Sequence, residues 1–312
     1  MEKLTVLGAG LMGHSIALTA AWAKMEVKLQ GIDQPDLERA DKGIRDKLAL
    51  LDANGLIEPG ERERIRERIT LLTSVEDAVD GATFVIEAIP EQLQLKQQFY
   101  EKLDDLCGSG TVLASNTSGL SPTAIARDMK RPSRMVVTHF WNPAHLIPLV
   151  EVVRGEHTDD ETVGRAMTLL REMNKKPIEV KKDIPGFVGN RLQYALFREA
   201  QHILATGAAT QEDIDTAVTM SLGRRLPITG PFMTADMGGL EVFDSISSYL
   251  FKDLNNDGES LAAMRKLVDD GHYGQKNGEG FYDWTPELSE RMSRQREQEL
   301  IRFLKQDMER KE

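Results

Sequence analysis

Short apolar runs alternate with stretches of helical periodicity over the first half of the chain. The apolar runs predict strands at 4–7, 26–30, 83–89, 111–114, 135–138 and 176–181, and a further run covers 146–153. Such short, nearly continuous runs are typical of strands buried on both faces in a parallel sheet. Between them lies a charged helical hairpin, whose apolar positions Ile44, Leu48 and Leu51 suit one helix face. Strands that alternate with helices predict an α/β fold.

The pattern changes after Asp183-Ile184-Pro185-Gly186, which we interpret as a domain hinge. A long helix is predicted to start near Asn190, a capping signal at 210–213 predicts another, and a charged helix begins at Pro286. We therefore expect two domains. Residues 1–184 form an α/β domain with the hairpin inserted at about 37–69, and residues 185–312 form an all-helical domain.

A glycine-rich turn, Gly8-Ala9-Gly10-Leu11-Met12-Gly13, joins the first predicted strand to the first predicted helix. The G-x-G-x-x-G spacing is weak alone but strong in this position. Gly8 permits the tight turn, Gly10 lets the backbone approach a pyrophosphate, and Gly13 lets helix and strand pack closely. The N–H groups of the helix start, at Leu11 and Met12, would face the phosphates. The turn predicts a dinucleotide site in a Rossmann-type, doubly wound parallel sheet; a glycine turn without a ligand is the alternative.

The second predicted strand lacks the acidic residue that normally holds the adenosine ribose. Gly31 stands at the expected position, and Asp33 follows about 20 residues after the last motif glycine. Asp33 would reach the ribose if the chain bends at Gly31. Because no arginine stands beside it to accept a 2′-phosphate, we expect NAD rather than NADP.

A histidine and a carboxylate are candidates for chemistry. The apolar run from Met135 ends at His139, and the run at 146–153 contains one carboxylate, Glu151. A carboxylate is costly to bury without a partner, and a histidine at a nearby strand end is such a partner. A carboxylate-oriented imidazole is suited to general-base catalysis. A structural ion pair without chemistry is the alternative interpretation, and these residues alone leave both open.

A polar turn, Ser115-Asn116-Thr117-Ser118-Gly119, follows the strand predicted at 111–114. Ligands gather at the carboxyl ends of strands in open α/β sheets. Ser118, His139 and the glycine turn are therefore expected on one rim, which is the edge of the sheet formed by these carboxyl ends. We expect the remaining histidines at packing or surface positions, apart from His14 beside the cofactor turn; they are His145, His157, His202 and His272. No metal site is expected, because no histidine pair has convincing metal spacing.

Composition and charge argue against several classes of function. A chain of 312 residues with 40% hydrophobic content can build two cores. A net charge of −11 argues against a nucleic-acid or anionic-membrane surface, and no apolar segment has membrane-spanning length. The single cysteine, Cys107, fits a reducing compartment and is expected to pack near a helix end. We expect a soluble cytoplasmic protein that acts on a small molecule.

Five segments in this order resemble the 3-hydroxyacyl-CoA dehydrogenase family over nearly the whole chain: GAGLMG, NTSGL, HFWNP with the later Glu151, PGFVGNRL and NGEGFYDW. The resemblance implies a doubly wound NAD domain and an all-helical domain that forms a homodimer. It also implies NAD-dependent oxidation of an L-3-hydroxyacyl-CoA to the 3-oxoacyl-CoA, a reaction of fatty acid metabolism.

The resemblance also implies roles for single residues. His139 would be the catalytic base and Glu151 its orienting partner, while Ser118 and Asn190 would hydrogen-bond the reacting oxygen or the thioester carbonyl. Asn142 would lie beside the nicotinamide and the substrate. Three further residues match cofactor-contacting positions: Glu91, Lys96 and Lys276.

Several departures from the family pattern concern the ligands. Gly31 replaces the ribose-binding aspartate of most members, and Met233 replaces the glutamate of a GPFE pattern. Lys47 and Asn54 fall where the family has a CoA-contacting serine and lysine. The segments NRLQYA and IPLVEVV also resemble gulonate and carnitine dehydrogenases, which oxidise free hydroxy acids. The alternatives are therefore the same chemistry on a free 3-hydroxy acid, or a non-catalytic NAD-binding protein of the crystallin kind.

Overall fold

The computed structural model describes residues 2–309, which form two compact units. The first contains residues 2–189 and 296–309, and the second is Asn190–Gln295. The sequence-based division placed the whole tail in the helical domain. The structure instead assigns the end of the tail to the first unit, because Leu300, Ile301 and Leu304 pack against its core. Residues 1 and 310–312 of the predicted domains lie outside the described residues.

One eight-stranded sheet forms the centre of the first unit, in the order β3-β2-β1-β4-β5-β6-β7-β8. Its strands are β1 (Leu4–Leu7), β2 (Val27–Gln30), β3 (Ile69–Leu72), β4 (Phe84–Glu87), β5 (Val112–Ser115), β6 (Met135–Phe140), β7 (Leu149–Arg154) and β8 (Lys176–Val180). Strands β1 to β6 are parallel. Their order is that of a Rossmann-type doubly wound sheet, so the predicted fold class is confirmed.

Two features of the sheet differ from the prediction of a parallel sheet with a hairpin reaching residue 69. Strand β7 runs antiparallel to β6, and β8 is parallel to β7. Ile69 opens β3 instead of ending a helix, and it pairs with Val27 of β2. The segment 69–72 is short, which makes its periodicity ambiguous in sequence.

Helices cover the sheet and form the second unit. In the first unit they are α1 (Leu11–Trp22), α2 (Gln34–Ala53), α3 (Glu61–Glu67), α4 (Val75–Val79), α5 (Leu93–Leu106), α6 (Pro122–Ile125) and α7 (Asp160–Glu172). The remaining helices are α8 (Gly189–Thr206), α9 (Gln211–Met220), α10 (Leu222–Arg225), α11 (Pro231–Gly238), α12 (Leu240–Leu250), α13 (Ala262–Asp269) and α14 (Pro286–Glu309). Cys107 caps the end of α5 and is buried, as expected.

Alternate residues of the strands enter two separate cores. Val6, Ile86 and Val136 belong to one cluster, with residues of α1, α2 and α7. Leu7, Val85 and Val137 belong to the other, with residues of α4, α5 and α6. Because successive strand side chains point to opposite faces, helices on both faces explain why the strands read as continuous apolar runs.

The second unit is helical, as predicted, but none of the residues in α9 to α13 is fully buried. Several large apolar side chains are strongly exposed, with Phe232 at 87%, Met237 at 76% and Phe251 at 70%. In the whole described range, 2–309, no helix has both the length and the apolar character needed to cross a membrane.

Candidate active site

The centre of the candidate site is a histidine–carboxylate pair on neighbouring strands. The antiparallel register of β6 and β7 places His139 directly opposite Glu151. His139 Nδ1 lies 2.9 Å from Glu151 Oε2, and the two residues are 5% and 0% exposed. Residues opposite each other on antiparallel strands point to the same face, so the register alone brings imidazole and carboxylate together.

Glu151 receives backbone donors as well. Its Oε1 accepts hydrogen bonds from the N–H groups of Val188 (2.8 Å) and Gly189 (3.0 Å), at the start of α8. Burial by itself would raise the pKa of Glu151, but donation from His139, Gly189 and Val188 outweighs burial and holds the pKa below its ordinary value. The carboxylate is therefore ionised at neutral pH.

This charged carboxylate fixes the tautomer of His139. With Nδ1–H donating to Glu151, Nε2 is the basic nitrogen. The imidazole packs between two aromatic rings, with centroids 5.4 Å from Trp141 and 5.7 Å from Phe187. Phe187 is fully buried and has a positive φ of 52°, which is uncommon for a bulky residue. The surroundings hold the imidazole in one orientation.

The glycine turn lies at the carboxyl end of β1, where the strand order reverses between β1 and β4. Gly8 has φ +96°, and a Cβ there would lie 2.8 Å from the carbonyl oxygen of Ala88. A Cβ on Gly13 would lie 1.7 Å from the Gly8 carbonyl oxygen, whereas open space surrounds Gly10. Gly10 precedes α1 without any side-chain cap, so the first N–H groups of α1, from Leu11 and Met12, are available to a ligand. This open cradle fits the pyrophosphate of a dinucleotide.

The turn after β5 contributes polar groups to the same rim. Glu91 Oε1 accepts hydrogen bonds from Thr117 Oγ1 and from the Ser118 N–H (2.9 Å). Asn116 Oδ1 accepts a hydrogen bond from the Phe140 N–H (2.9 Å), which ties this turn to the strand of His139. Glu91 itself lies just before α5, which begins at Leu93. The structure thus brings Ser118 and Glu91 together on the rim.

Lys96 occupies a buried position that sequence reasoning missed. Its Nζ lies 2.6 Å from Glu87 Oε1, and the two residues are 1% and 0% exposed. Glu87 also accepts hydrogen bonds from Ser115 Oγ (2.7 Å) and the Ile89 N–H (2.6 Å). Glu87 is a single carboxylate in an apolar strand, the same signal that singled out Glu151, so the pattern was visible in the sequence.

The ribose candidate Asp33 caps α2. Its Oδ1 accepts a hydrogen bond from the Asp36 N–H at 2.8 Å, and the residue is exposed. A Cβ at Gly31 would lie 2.8 Å from Leu37 Cδ2 and 3.0 Å from Asp36 Oδ2, so side chains of α2 take the space beside Gly31.

Three other predicted site residues lie in a loop or on a helix. Asn142 is exposed in the loop between β6 and β7, before a cis peptide bond to Pro143. Asn190 is the second residue of α8, as predicted, and Lys276 lies exposed between α13 and α14; both belong to the second unit.

The histidines outside the pair have packing or surface contacts. His145 is buried with Nδ1 3.1 Å from Ser15 Oγ, and burial together with the charges of Lys47 and Lys175 lowers its pKa to about 3. His14 Nε2 lies 2.9 Å from Lys47 Nζ. His272 pairs with the exposed Glu279 at 3.0 Å. Among residues 2–309, no three or more His, Cys, Asp or Glu side chains are grouped to hold a metal ion.

Comparison with known proteins matches both units to one family. The model for the NAD binding domain of 3-hydroxyacyl-CoA dehydrogenase matches residues 3–184, and the model for its C-terminal domain matches residues 186–284.

Individual relatives agree with these matches. The chain is 37% identical to a probable 3-hydroxybutyryl-CoA dehydrogenase of Bacillus subtilis, over 93% of this chain and 99% of that protein. It is 34% identical to 5-formyl-3-hydroxy-2-methylpyridine 4-carboxylate 5-dehydrogenase of Mesorhizobium japonicum, over 96% of each. It is 35% identical to L-carnitine dehydrogenase of Oceanobacillus iheyensis, over 77% of this chain and 76% of that protein.

A solved structure of a 5-formyl-3-hydroxy-2-methylpyridine 4-carboxylic acid 5-dehydrogenase, described as an NAD⁺-dependent dismutase, superimposes with a TM-score of 0.90. It is 34% identical and covers 98% of this chain and 99% of its own. Fold, glycine cradle and both domain matches agree: the chain belongs to the 3-hydroxyacyl-CoA dehydrogenase family and is an NAD-dependent oxidoreductase of that type.

Proposed function

We propose that this protein oxidises a secondary hydroxyl group, with His139 as the general base and Glu151 as the residue that orients it. The observation that carries the proposal is the buried 2.9 Å contact between His139 Nδ1 and Glu151 Oε2. A hydroxyl carbon can release hydride only as the hydroxyl proton leaves, so a base within hydrogen-bond reach is required. NAD, when bound, supplies the hydride acceptor.

In this proposal the chain's own groups bind, orient and move the proton. His139 Nε2 takes the hydroxyl proton, and the ionised Glu151 stabilises the imidazolium that forms. Ser118 and Asn190 hydrogen-bond the substrate, and Asn142 lies beside the nicotinamide. The open N-terminus of α1 at Gly10 receives the pyrophosphate. Asp33 would bind the ribose, and the remaining cofactor contacts proposed are Glu91, Lys96 and Lys276.

Two contacts favour a small free hydroxy acid over an acyl-CoA as the substrate. The family's CoA-contacting positions are Lys47 and Asn54 here. Lys47 Nζ lies 2.9 Å from His14 Nε2, and Asn54 Nδ2 donates to the Leu50 carbonyl oxygen at 2.8 Å. The Lys47 ammonium group and the Asn54 amide nitrogen thus have partners within the protein. The similarity to enzymes named for a pyridine carboxylate and for carnitine supports the same choice. An L-3-hydroxyacyl-CoA is the second candidate, supported by the 3-hydroxybutyryl-CoA dehydrogenase relatives.

A substrate panel followed by NADH absorbance tests the proposal. We expect turnover with free hydroxy acids such as carnitine or gulonate, and little with 3-hydroxybutyryl-CoA. Replacing the base in His139→Gln should lower kcat by at least about 100-fold, the usual contribution of general-base catalysis. His157→Gln, which changes an exposed histidine, is the matched control and should leave kcat unchanged.

A different experimental result would contradict each part of the proposal. Efficient oxidation of the CoA ester, with none of the free acids, would overturn the substrate assignment while keeping the chemistry. Equal kcat for wild type and His139→Gln on every oxidised substrate would overturn the catalytic role.

We further propose that the working protein is a homodimer in a cytoplasmic setting. The exposed apolar side chains of the second unit, including Phe232 and Phe251, support an interface between copies. The single buried Cys107 suits a reducing compartment.

A further inference from the structure

A second buried carboxylate, Glu87, lies next to the turn 115–119. Glu87 ends β4 and Ser115 ends β5, and the parallel register of the two strands pairs these residues. Ser115 Oγ donates to Glu87 Oε2 at 2.7 Å. Glu87 Oε1 accepts hydrogen bonds from Lys96 Nζ and from the Ile89 N–H, both at 2.6 Å. Both oxygens of this carboxylate, which is 0% exposed, are therefore hydrogen-bonded within the protein.

One connection from Glu87 to the turn 115–119 runs through the Ser115 hydroxyl. While Ser115 Oγ donates to Glu87, it also accepts a hydrogen bond from the Thr117 N–H at 3.2 Å. Thr117 is 0% exposed, and its Oγ1 accepts a hydrogen bond from the Leu120 N–H at 3.0 Å. Because Glu87 accepts the hydroxyl proton, the lone pairs of Ser115 Oγ are held towards the backbone of the turn.

A second connection runs through Lys96 and Glu91. Lys96 Nζ lies 2.6 Å from Glu87 Oε1 and 3.5 Å from Glu91 Oε2. Glu91 Oε1 accepts hydrogen bonds from the Ser118 N–H (2.9 Å) and from Thr117 Oγ1. The Lys96 side chain is 1% exposed and that of Glu91 is 45% exposed. The buried ammonium group, fixed by Glu87, thus holds the more exposed carboxylate that bonds to the turn.

We propose that Glu87 is a positioning residue for Ser118, because this one carboxylate fixes the turn 115–119 through both Ser115 and the Lys96–Glu91 pair. Ser118 is exposed, so burial of its own side chain does not fix its position. The inference rests on the proposed function, in which Ser118 hydrogen-bonds the substrate. A displacement of about 1 Å in a group that holds the substrate can cost about 100-fold in rate.

Amide hydrogen exchange followed by NMR tests the positioning role without any substrate. Glu87→Gln keeps the shape of the side chain but removes the charge that faces Lys96. We expect the amides of Thr117 and Ser118 to exchange at least about 10-fold faster than in the wild type. The amide of Leu29, which is fully buried in β2, should exchange at its wild-type rate.

Kinetics on a substrate found in the panel test whether Glu87 acts through Ser118. Glu87→Gln should lower kcat/KM by about 10- to 100-fold. In a Ser118→Ala background the same substitution should lower it less than about threefold, because the group that Glu87 positions is already absent. The matched control is Glu76→Gln, which breaks an exposed 2.7 Å pair with Lys102, another lysine of α5. This control should change neither kcat/KM nor the exchange rates.

A second variant covers the case in which Glu87→Gln does not fold. Glu87→Gln combined with Lys96→Met removes both members of the buried pair, so that no buried charge is left without a partner. It should accelerate exchange of the Thr117 and Ser118 amides in the same way.

Three results would overturn the proposal. They are wild-type exchange of both turn amides in the folded variant, equal acceleration at Leu29, which would mean a general loss of stability, and a full loss of kcat/KM in the Ser118→Ala background. Local acceleration of exchange in a protein that oxidises nothing in the panel would support the positioning of the turn and contradict the proposed function. The two failures are therefore distinguishable.

Discussion

Two buried glutamates show how the partner of a carboxylate decides its role. Glu87 and Glu151 each interrupt an apolar strand and are 0% exposed. Glu87 is paired with the ammonium group of Lys96, which also lies 3.5 Å from Glu91 Oε2. Glu151 is paired with an imidazole, whose second ring nitrogen is the candidate proton acceptor. The same sequence signal thus produces a pair with an ammonium group in one strand and a pair with an imidazole in another.

At the residue scale, a pair of substitutions separates two roles of Asp33. The side chain caps α2, and we propose that it also binds the ribose. Asp33→Ser keeps a capping oxygen and removes the charge, whereas Asp33→Ala removes both. We expect both variants to weaken NAD binding several-fold with little change in kcat. Asp33→Ala alone should lose about 0.5–2 kcal/mol of unfolding free energy.

Fluorescence titration with NAD and urea denaturation measure these two effects. Wild-type NAD affinity in Asp33→Ser would contradict the ribose assignment. Equal affinity of the unmodified protein for NADP would contradict the preference for NAD.

At the scale of elements, the position of His139 depends on how β6 is anchored. Arg134, just before β6, lies 2.6 Å from Asp104 of α5 with both residues buried, and Asp104 also accepts the N–H groups of Lys130 and Arg131. Burial favours a higher pKa for Asp104, but Arg134 and the backbone N–H groups outweigh it and lower the pKa. This cluster holds the start of the strand whose end carries His139.

Removing the charge of Asp104 should therefore destabilise the folded protein. We expect Asp104→Asn to lose about 3–5 kcal/mol of unfolding free energy at pH 7, because the buried Arg134 loses its counter-ion. The matched control is Asp105→Asn, which breaks the exposed pair with Lys130 and should cost less than about 1 kcal/mol.

The same cluster predicts a pH dependence of stability. Because the folded-state pKa of Asp104 is depressed, its contribution is fully present above the unfolded-state pKa of about 3.9 and is lost as the pH falls through the lower folded-state value. Urea denaturation across this acidic range should show wild type and Asp104→Asn converging. A constant difference at every pH would contradict the assignment.

At the scale of the whole molecule, the exposed apolar side chains of the second unit support the proposed homodimer. No residue of α9 to α13 is fully buried, while Phe232 is 87% and Met237 76% exposed. Soluble monomers seldom expose large apolar patches, and obligate homodimer interfaces commonly bury more than about 2,000 Å² in total. We expect light scattering at micromolar concentration to give about twice the chain mass of 34.9 kDa. A stable, fully active species near the mass of one chain would show the dimer proposal to be wrong.

The sequence alone determined the features that depend on neighbouring residues. The glycine turn, the buried strands other than β3 and the start of α8 near Asn190 follow from local sterics and from hydrophobic periodicity, both of which act over a few residues. His139 and Glu151 were also identified as possible partners, because a charge inside an apolar strand requires one.

Only the tertiary structure decided which distant groups meet. The antiparallel register of β6 and β7 placed His139 opposite Glu151, and the fold delivered Lys96 to Glu87, Trp141 to Glu151 and Ile301 of the tail to the core of the first unit. None of these contacts can be predicted from neighbouring residues, because several side chains in the sequence could serve as the partner of the same buried group. The packing of the chain selects one of these possible partners, since each buried polar group bonds to the side chain that the surrounding elements bring within hydrogen-bond distance.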